Sequence, residues 1–374
     1  MDFFVGRHAY PGRAWVESMP RRQGHLVVPG QRLGTLPVAD SGAGHDRPHH
    51  VLGGQEDLGH SSAGAGDGRR VGVHRATLLC RVTPSNGDET TTRPSAWRER
   101  VRAAVRWGRH ARVDARHWVG GRRDPLVPPT RMMFDGPVDR ELFIQNGDAY
   151  FRFFVDLLAL EPDDVVLDVG CGIGRKTRPL TRYLTGEHSY DGIDPTRKGV
   201  DWCRRHITRR FPNFLFHHVD VFNQHYNPTG RVRAAELVFP FDDATFEVAI
   251  LGSVFTHMLA EEVDHYLSEL ARVLKPGGRA LISYFLLNDE SERLLAEGRA
   301  TFDFPYRRGR CATGSENDPE GRVAYDETAV REMYERHGFV IDEPIRYGNW
   351  AGRSFDYDFQ DIVVAHTVTS ARAR

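Results

Sequence analysis

The run VVLDVGCGIGR at residues 165–175 constrains the fold more than any other part of the chain. A short apolar segment with the length and β-branched content of a buried strand ends in glycine at every second position, Gly170, Gly172 and Gly174, before a helical pattern begins. Glycine there allows a sharp turn and lets a ligand lie against the main chain. The first N–H groups of the helix and its positive end then face that ligand. Two familiar nucleotide loops fail on spacing. A phosphate-cradling loop requires G-x-x-x-x-G-K-[ST]; Lys176-Thr177 are present, but Arg175 stands where the glycine must be. A dinucleotide turn requires G-x-G-x-x-G, and neither Gly170 nor Gly172 starts one.

The rest of the chain from about Met132 alternates strand and helix patterns. Tyr150, Phe153, Phe154, Leu157 and Leu158 mark a helix ahead of the first strand. SYDGID, FLFHHVD, FEVAILGSV, RALISYF, FVIDEPI and FQDIVVAHTV read as further strands. Val200, Cys203, Ile207 and Phe211, then Val263, Tyr266, Leu267, Leu270 and Leu274, then Val330, Met333, Tyr334 and His337 mark helices between them. The expected fold is α/β: a doubly wound, mostly parallel seven-stranded sheet with helices on both faces and the last strand antiparallel. Pro179 predicts that the helix after the glycine turn is short or kinked. The connections 222–245 and 286–325 are too long for simple turns and follow strands at their carboxyl ends, where open α/β sheets bind ligands.

The order of these parts resembles class I S-adenosylmethionine-dependent methyltransferases over roughly residues 120–368. The resemblance rests on the D-x-G-x-G-x-G turn, DGIDP, HHVDVF, the stretch FPFDDATFEVAILGSVFTHM and the unit ELARVLKPGGRALISYF. It implies S-adenosyl-L-methionine as cofactor, held by Asp168, Gly170, Gly172, Gly174, Asp194, Asp220, Val221 and Ser253. Asp194 would accept from the ribose diol and Asp220 from the adenine amino group. A carboxylate can accept two donors together, which suits a diol. Each of the three acids also has a plainer reading, as a surface acid at a strand end.

His257, after the fourth strand, is the candidate general base, and a cap on the next helix is its structural alternative. Tyr284, Asn288, Asp289 and Trp350 are the candidate acceptor contacts, Trp350 being equally readable as a packed aromatic. No metal is expected. The function expected is methyl transfer to a small-molecule acceptor, such as a hydroxyl of a sugar or secondary metabolite. A nicotinamide-dependent oxidoreductase and a non-catalytic cofactor-binding module remain as alternatives.

Charge bears on partners. Residues 1–131 carry 21 Arg against 12 acidic residues, while residues 132–374 carry 29 basic against 39 acidic. The acidic, patterned part argues against a phosphate-backbone partner, so no nucleic acid is expected. All basic residues except Lys176, Lys198 and Lys275 are arginine, a skew that fits a GC-rich coding sequence. No apolar run approaches the roughly 18 residues that span a bilayer. The four scattered cysteines, Cys80, Cys171, Cys203 and Cys311, fit reduced thiols and a cytoplasmic setting. Residues 1–95, rich in Gly, His, Arg and Ser, read as disordered or as a stretch ahead of a start codon assigned too early. Residues 96–131 read as an Arg-rich lead-in and Pro-rich linker, and 132–374 as the cofactor-binding domain.

Overall fold

The computed structural model describes Asp114, residues 124–354 and residues 358–368. Residues 1–95 and most of the lead-in fall outside these residues. In chain order, α1 (Arg140–Asp156) leads to β1 (Val166–Val169) and, past the glycine turn, to α2 (Thr177–Leu180). Then come β2 (Tyr190–Asp194), α3 (Arg197–Cys203), β3 (Phe214–His218), β4 (Phe246–Leu251), α4 (Ala260–Val273) and β5 (Leu274–Tyr284). The chain continues through β6 (Leu286–Leu287), α5 (Asp289–Ala296), β7 (Tyr306–Arg308), β8 (Cys311–Thr313), β9 (Val323–Asp326), α6 (Glu327–Arg336), β10 (Phe339–Ile341) and β11 (Asp361–Thr367).

Seven of these strands form one sheet in the order β10-β11-β5-β4-β1-β2-β3. The pairings among β1 to β5 are parallel, and β11 runs antiparallel to both β5 and β10. All seven expected strands are therefore present, and the reversed one is the last. Successive side chains of a strand point to opposite faces, and both faces here are covered. Val166, Val248, Ile250, Leu281, Ile362 and Val364 pack with Phe143 and Phe154 of α1 and Val200 of α3. Their neighbours Leu167, Ala249, Leu251, Ala280, Ile282, Val363 and Ala365 pack with Val263, Leu267 and Leu270 of α4 and Val330 and Met333 of α6. That two-sided burial is why these strands read as near-continuous apolar runs.

Local choices follow the sequence. Asp139 caps α1 by accepting from the Leu142 N–H at 2.9 Å. Helix α2 spans only four residues, as Pro179 requires. The Pro-rich segment is packed from Leu126 onward: Leu126, Val127 and Met133 are buried in the cluster that holds Phe143 and Trp202. The long connection after β5 is not an irregular loop. It builds a second, four-stranded sheet, β6-β9-β8-β7, over a cluster of Phe285, Leu287, Leu294, Phe304 and Trp350.

Candidate active site

β1 lies between β2 and β4, with Asp168 opposite Gly192 and Ile250. Strand order reverses at this point, so the carboxyl ends of β1 and β4 border the crevice where doubly wound sheets bind ligands. Gly170, Gly172 and Gly174 all take positive φ, at 74°, 57° and 84°. A Cβ on Gly170 would stand 2.5 Å from Cγ2 of Val254, and one on Gly172 would stand 2.2 Å from Oδ2 of Asp135. Backbone conformation and space both require glycine at these two positions.

Asp168 is fully buried beneath the turn. Its Oδ2 accepts from the Tyr190 hydroxyl at 2.7 Å. Its Oδ1 has no hydrogen bond; the Lys176 ammonium stands 3.1 Å away as an ion pair and donates to the Gly170 carbonyl at 3.2 Å. Burial pushes the Asp168 carboxyl up, and Lys176 opposes that shift. Asp194, at the end of β2, accepts from the N–H groups of Gly172 at 2.8 Å and Thr196 at 2.7 Å. Burial raises its carboxyl to about 6. The structure thus gathers Asp168, the three glycines and Asp194 around one turn. The Cys171 thiol is buried and pushed well up, which leaves it inert as a nucleophile.

Asp220 stands apart from this group. Its carboxylate accepts from Arg231 Nε at 2.6 Å, and that bond holds it below the usual range. The Val221 side chain is buried in the core, and its carbonyl accepts from Asn227 Nδ2 at 3.0 Å. Ser253 lies at the end of β4 with a positive φ of 60°, rare for a residue with a side chain. Its N–H donates to Ser283 Oγ at 2.7 Å, and both serine hydroxyls donate to Gln360 Oε1, at 3.0 and 2.7 Å.

His257 sits in the turn between β4 and α4, with Nδ1 3.0 Å from the Glu320 carbonyl oxygen. A carbonyl only accepts, so Nδ1 carries the proton and Nε2 keeps its lone pair. Burial lowers the pKa of this imidazole, which keeps it neutral near pH 7. Tyr226 presents its ring edge-on to His257, with centroids 6.1 Å apart. Its hydroxyl is pushed up by burial and then by Asp135 and Asp194. The two long connections meet beside His257. Asn223 Nδ2 and the Gln224 N–H donate to Glu320 at 3.0 and 3.3 Å, and His225 Nε2 lies 2.8 Å from Asp318 Oδ1.

The expected acceptor contacts are placed otherwise. Tyr284 and Trp350 are fully buried. The Tyr284 hydroxyl donates to that of Tyr334 at 3.2 Å, and Trp350 Nε1 donates to Asp361 at 2.7 Å. Both are core aromatics with a satisfied polar tip rather than cleft walls. Asn288 caps α5 by accepting from the Ser291 N–H, and Asp289 opens that helix. The sequence pattern marks neither Asp135, Tyr226 nor Gln360, and it bears on Lys176 only through the phosphate-loop spacing that fails at Arg175.

Residues 167–282, from β1 through β5, match the family model described as "Methyltransferase domain". This stretch, about a third of the chain, is similar to a methyltransferase domain. A demethylmenaquinone methyltransferase from Tropheryma whipplei is 31% identical to the chain over 139 residues, covering 37% of this chain and 49% of the relative. A sterol 24-C-methyltransferase from Schizosaccharomyces pombe is 24% identical over 159 residues, covering 42% and 38%. The match therefore spans half or less of each relative. A solved protein from Pyrococcus horikoshii is similar to the chain at 19% identity and a TM-score of 0.41, over 60% of this chain and 90% of that one. The matched stretch contains the Asp168, glycine-turn and Asp194 cluster in full, together with His257.

Proposed function

We propose that the chain transfers a methyl group from S-adenosylmethionine to a hydroxyl of a small-molecule acceptor. The observation that carries this reading is the cluster of positive-φ glycines between two buried strand-end carboxylates, inside the matched domain. These residues fit the cofactor. Asp194 has a carboxylate at the strand end suited to a diol, and the positive-φ glycines let a ligand lie against the main chain. When bound, S-adenosylmethionine supplies a methyl group on a sulfonium. The chain supplies alignment and a proton acceptor: His257, protonated on Nδ1, takes the acceptor's hydroxyl proton at Nε2. Both relatives above are named for acceptors of low mass, a sterol and a demethylmenaquinone, which supports a small acceptor here. The acidic balance of residues 132–374 speaks against nucleic acid. Free Cys171, Cys203 and Cys311 accord with a cytoplasmic setting.

The test is thermal unfolding of the full chain with S-adenosylmethionine, S-adenosylhomocysteine or NAD. A ligand at a hundred times its dissociation constant adds about 2.7 kcal/mol to stability. The two sulfur compounds are expected to raise the midpoint and NAD to leave it unchanged. A rise with NAD alone would overturn the reading. With methyl-labelled donor and a cell extract, label is expected in the low-mass fraction and not in nucleic acid.

A further inference from the structure

Asp135 lies in the loop ahead of α1 and is tied to the glycine turn from outside it. Its Oδ1 accepts from Arg175 Nη2 at 3.1 Å. Its Oδ2 lies 3.4 Å from the Ile173 N–H and fills the space that a Cβ at Gly172 would need. The Gly172 N–H donates instead to Asp194. Two consecutive N–H groups of one turn thus face two different carboxylates, and the third, Asp168, lies beneath, paired through Oδ1 with the Lys176 ammonium at 3.1 Å. Among the described residues, two cations, Arg175 and Lys176, are paired with the three acids. The formal charge of the group is therefore −1.

S-adenosylmethionine carries a sulfonium, an ammonium and a carboxylate, net +1; S-adenosylhomocysteine lacks the sulfonium charge and is neutral. The two differ by one methyl group and one charge. We propose that Asp135 is a donor-binding residue whose negative charge makes the site prefer the cationic donor over the neutral product. This rests on the methyl-transfer reading and adds to it a residue outside the matched domain. Burial raises the carboxyls of Asp135, Asp168 and Asp194, and repulsion from Asp135 adds to the shift at the other two. A cation entering this group relieves that repulsion, and a neutral product does not. The consequence is asymmetric affinity: the donor is retained, and the product leaves once its charge is gone.

Titration calorimetry of the full-length protein with S-adenosylmethionine and S-adenosylhomocysteine tests this. The variants are Asp135→Asn and Asp135→Ser, which both remove the charge, with folding checked by circular dichroism. Donor affinity is expected to fall roughly tenfold and product affinity less than about twofold, so the preference for donor shrinks. Equal losses for both ligands would show a merely structural Asp135 and overturn the proposal, as would an unchanged preference. If the wild-type protein binds neither ligand, the methyl-transfer reading fails first and takes this one with it.

Discussion

Asp361→Ala is expected to lower unfolding free energy by about 4 kcal/mol, the scale for removing one partner of a buried charged network. For a domain of this size that lowers the melting midpoint by on the order of 10 °C. Asp361 is fully buried at the start of β11. It accepts from the Leu286 N–H, the Gly348 N–H and Trp350 Nε1, each at 2.7 Å, and Arg353 Nη1 stands 3.4 Å away. Alanine leaves three buried donors without their acceptor and takes one of its two carboxylate partners from Arg353, which keeps Glu290. Burial raises the Asp361 carboxyl to about 6, so the charge itself is held at a cost. Asp361→Asn, which keeps one acceptor oxygen and drops the charge, is expected to lose about half as much. Thermal and urea unfolding read both values. A fall of only a degree or two for alanine would mean that the second sheet and the loop 347–353 do not depend on this carboxylate.

The second large effect concerns the cofactor. Asp194→Ala is expected to weaken S-adenosylmethionine binding by about 3 kcal/mol, roughly a hundredfold, the scale of two hydrogen bonds to a charged acceptor. Calorimetry on the folded variant measures it, and a loss under threefold would remove Asp194 from the site. The wild-type affinity carries a pH signature as well. Asp194 is ionised above about 6 and protonated below. Affinity that depends on the ionised carboxylate is present at pH 7.5 and falls as pH is lowered through 6. At pH 5 only about a tenth of the carboxyl is ionised, so the expected loss is about tenfold. Asp194→Asn is expected to bind weakly at every pH and to lose this slope.

The main sheet was legible because both of its faces are buried. Strands such as Val166–Val169 and Phe246–Leu251 stand out as apolar runs between turn residues. The second sheet was not legible: Leu286–Leu287, Tyr306–Arg308 and Cys311–Thr313 are too short to establish any period. The positions of Asp168 and Asp194 were legible because a strand end and a turn fix an acid in place. Tyr284 and Trp350 were misplaced for the opposite reason. An aromatic after a strand carries no mark saying whether its ring faces a cleft or the core, and here the core took both. Asp135 reaches the glycine turn from 38 residues upstream of Ile173, a separation across which sequence gives no pairing signal.

Asn223, Gln224 and His225 on one side, and Asp318 and Glu320 on the other, fasten the two long connections together like a clasp, and His257 holds the same Glu320 carbonyl. Neither connection can swing outward alone without breaking several of these bonds at once. Any displacement of one connection is therefore expected to carry the other with it. Unfastening also frees the imidazole from the contact that fixes its proton on Nδ1. The pairing of the two connections and the tautomer of His257 thereby rest on one set of contacts around Glu320.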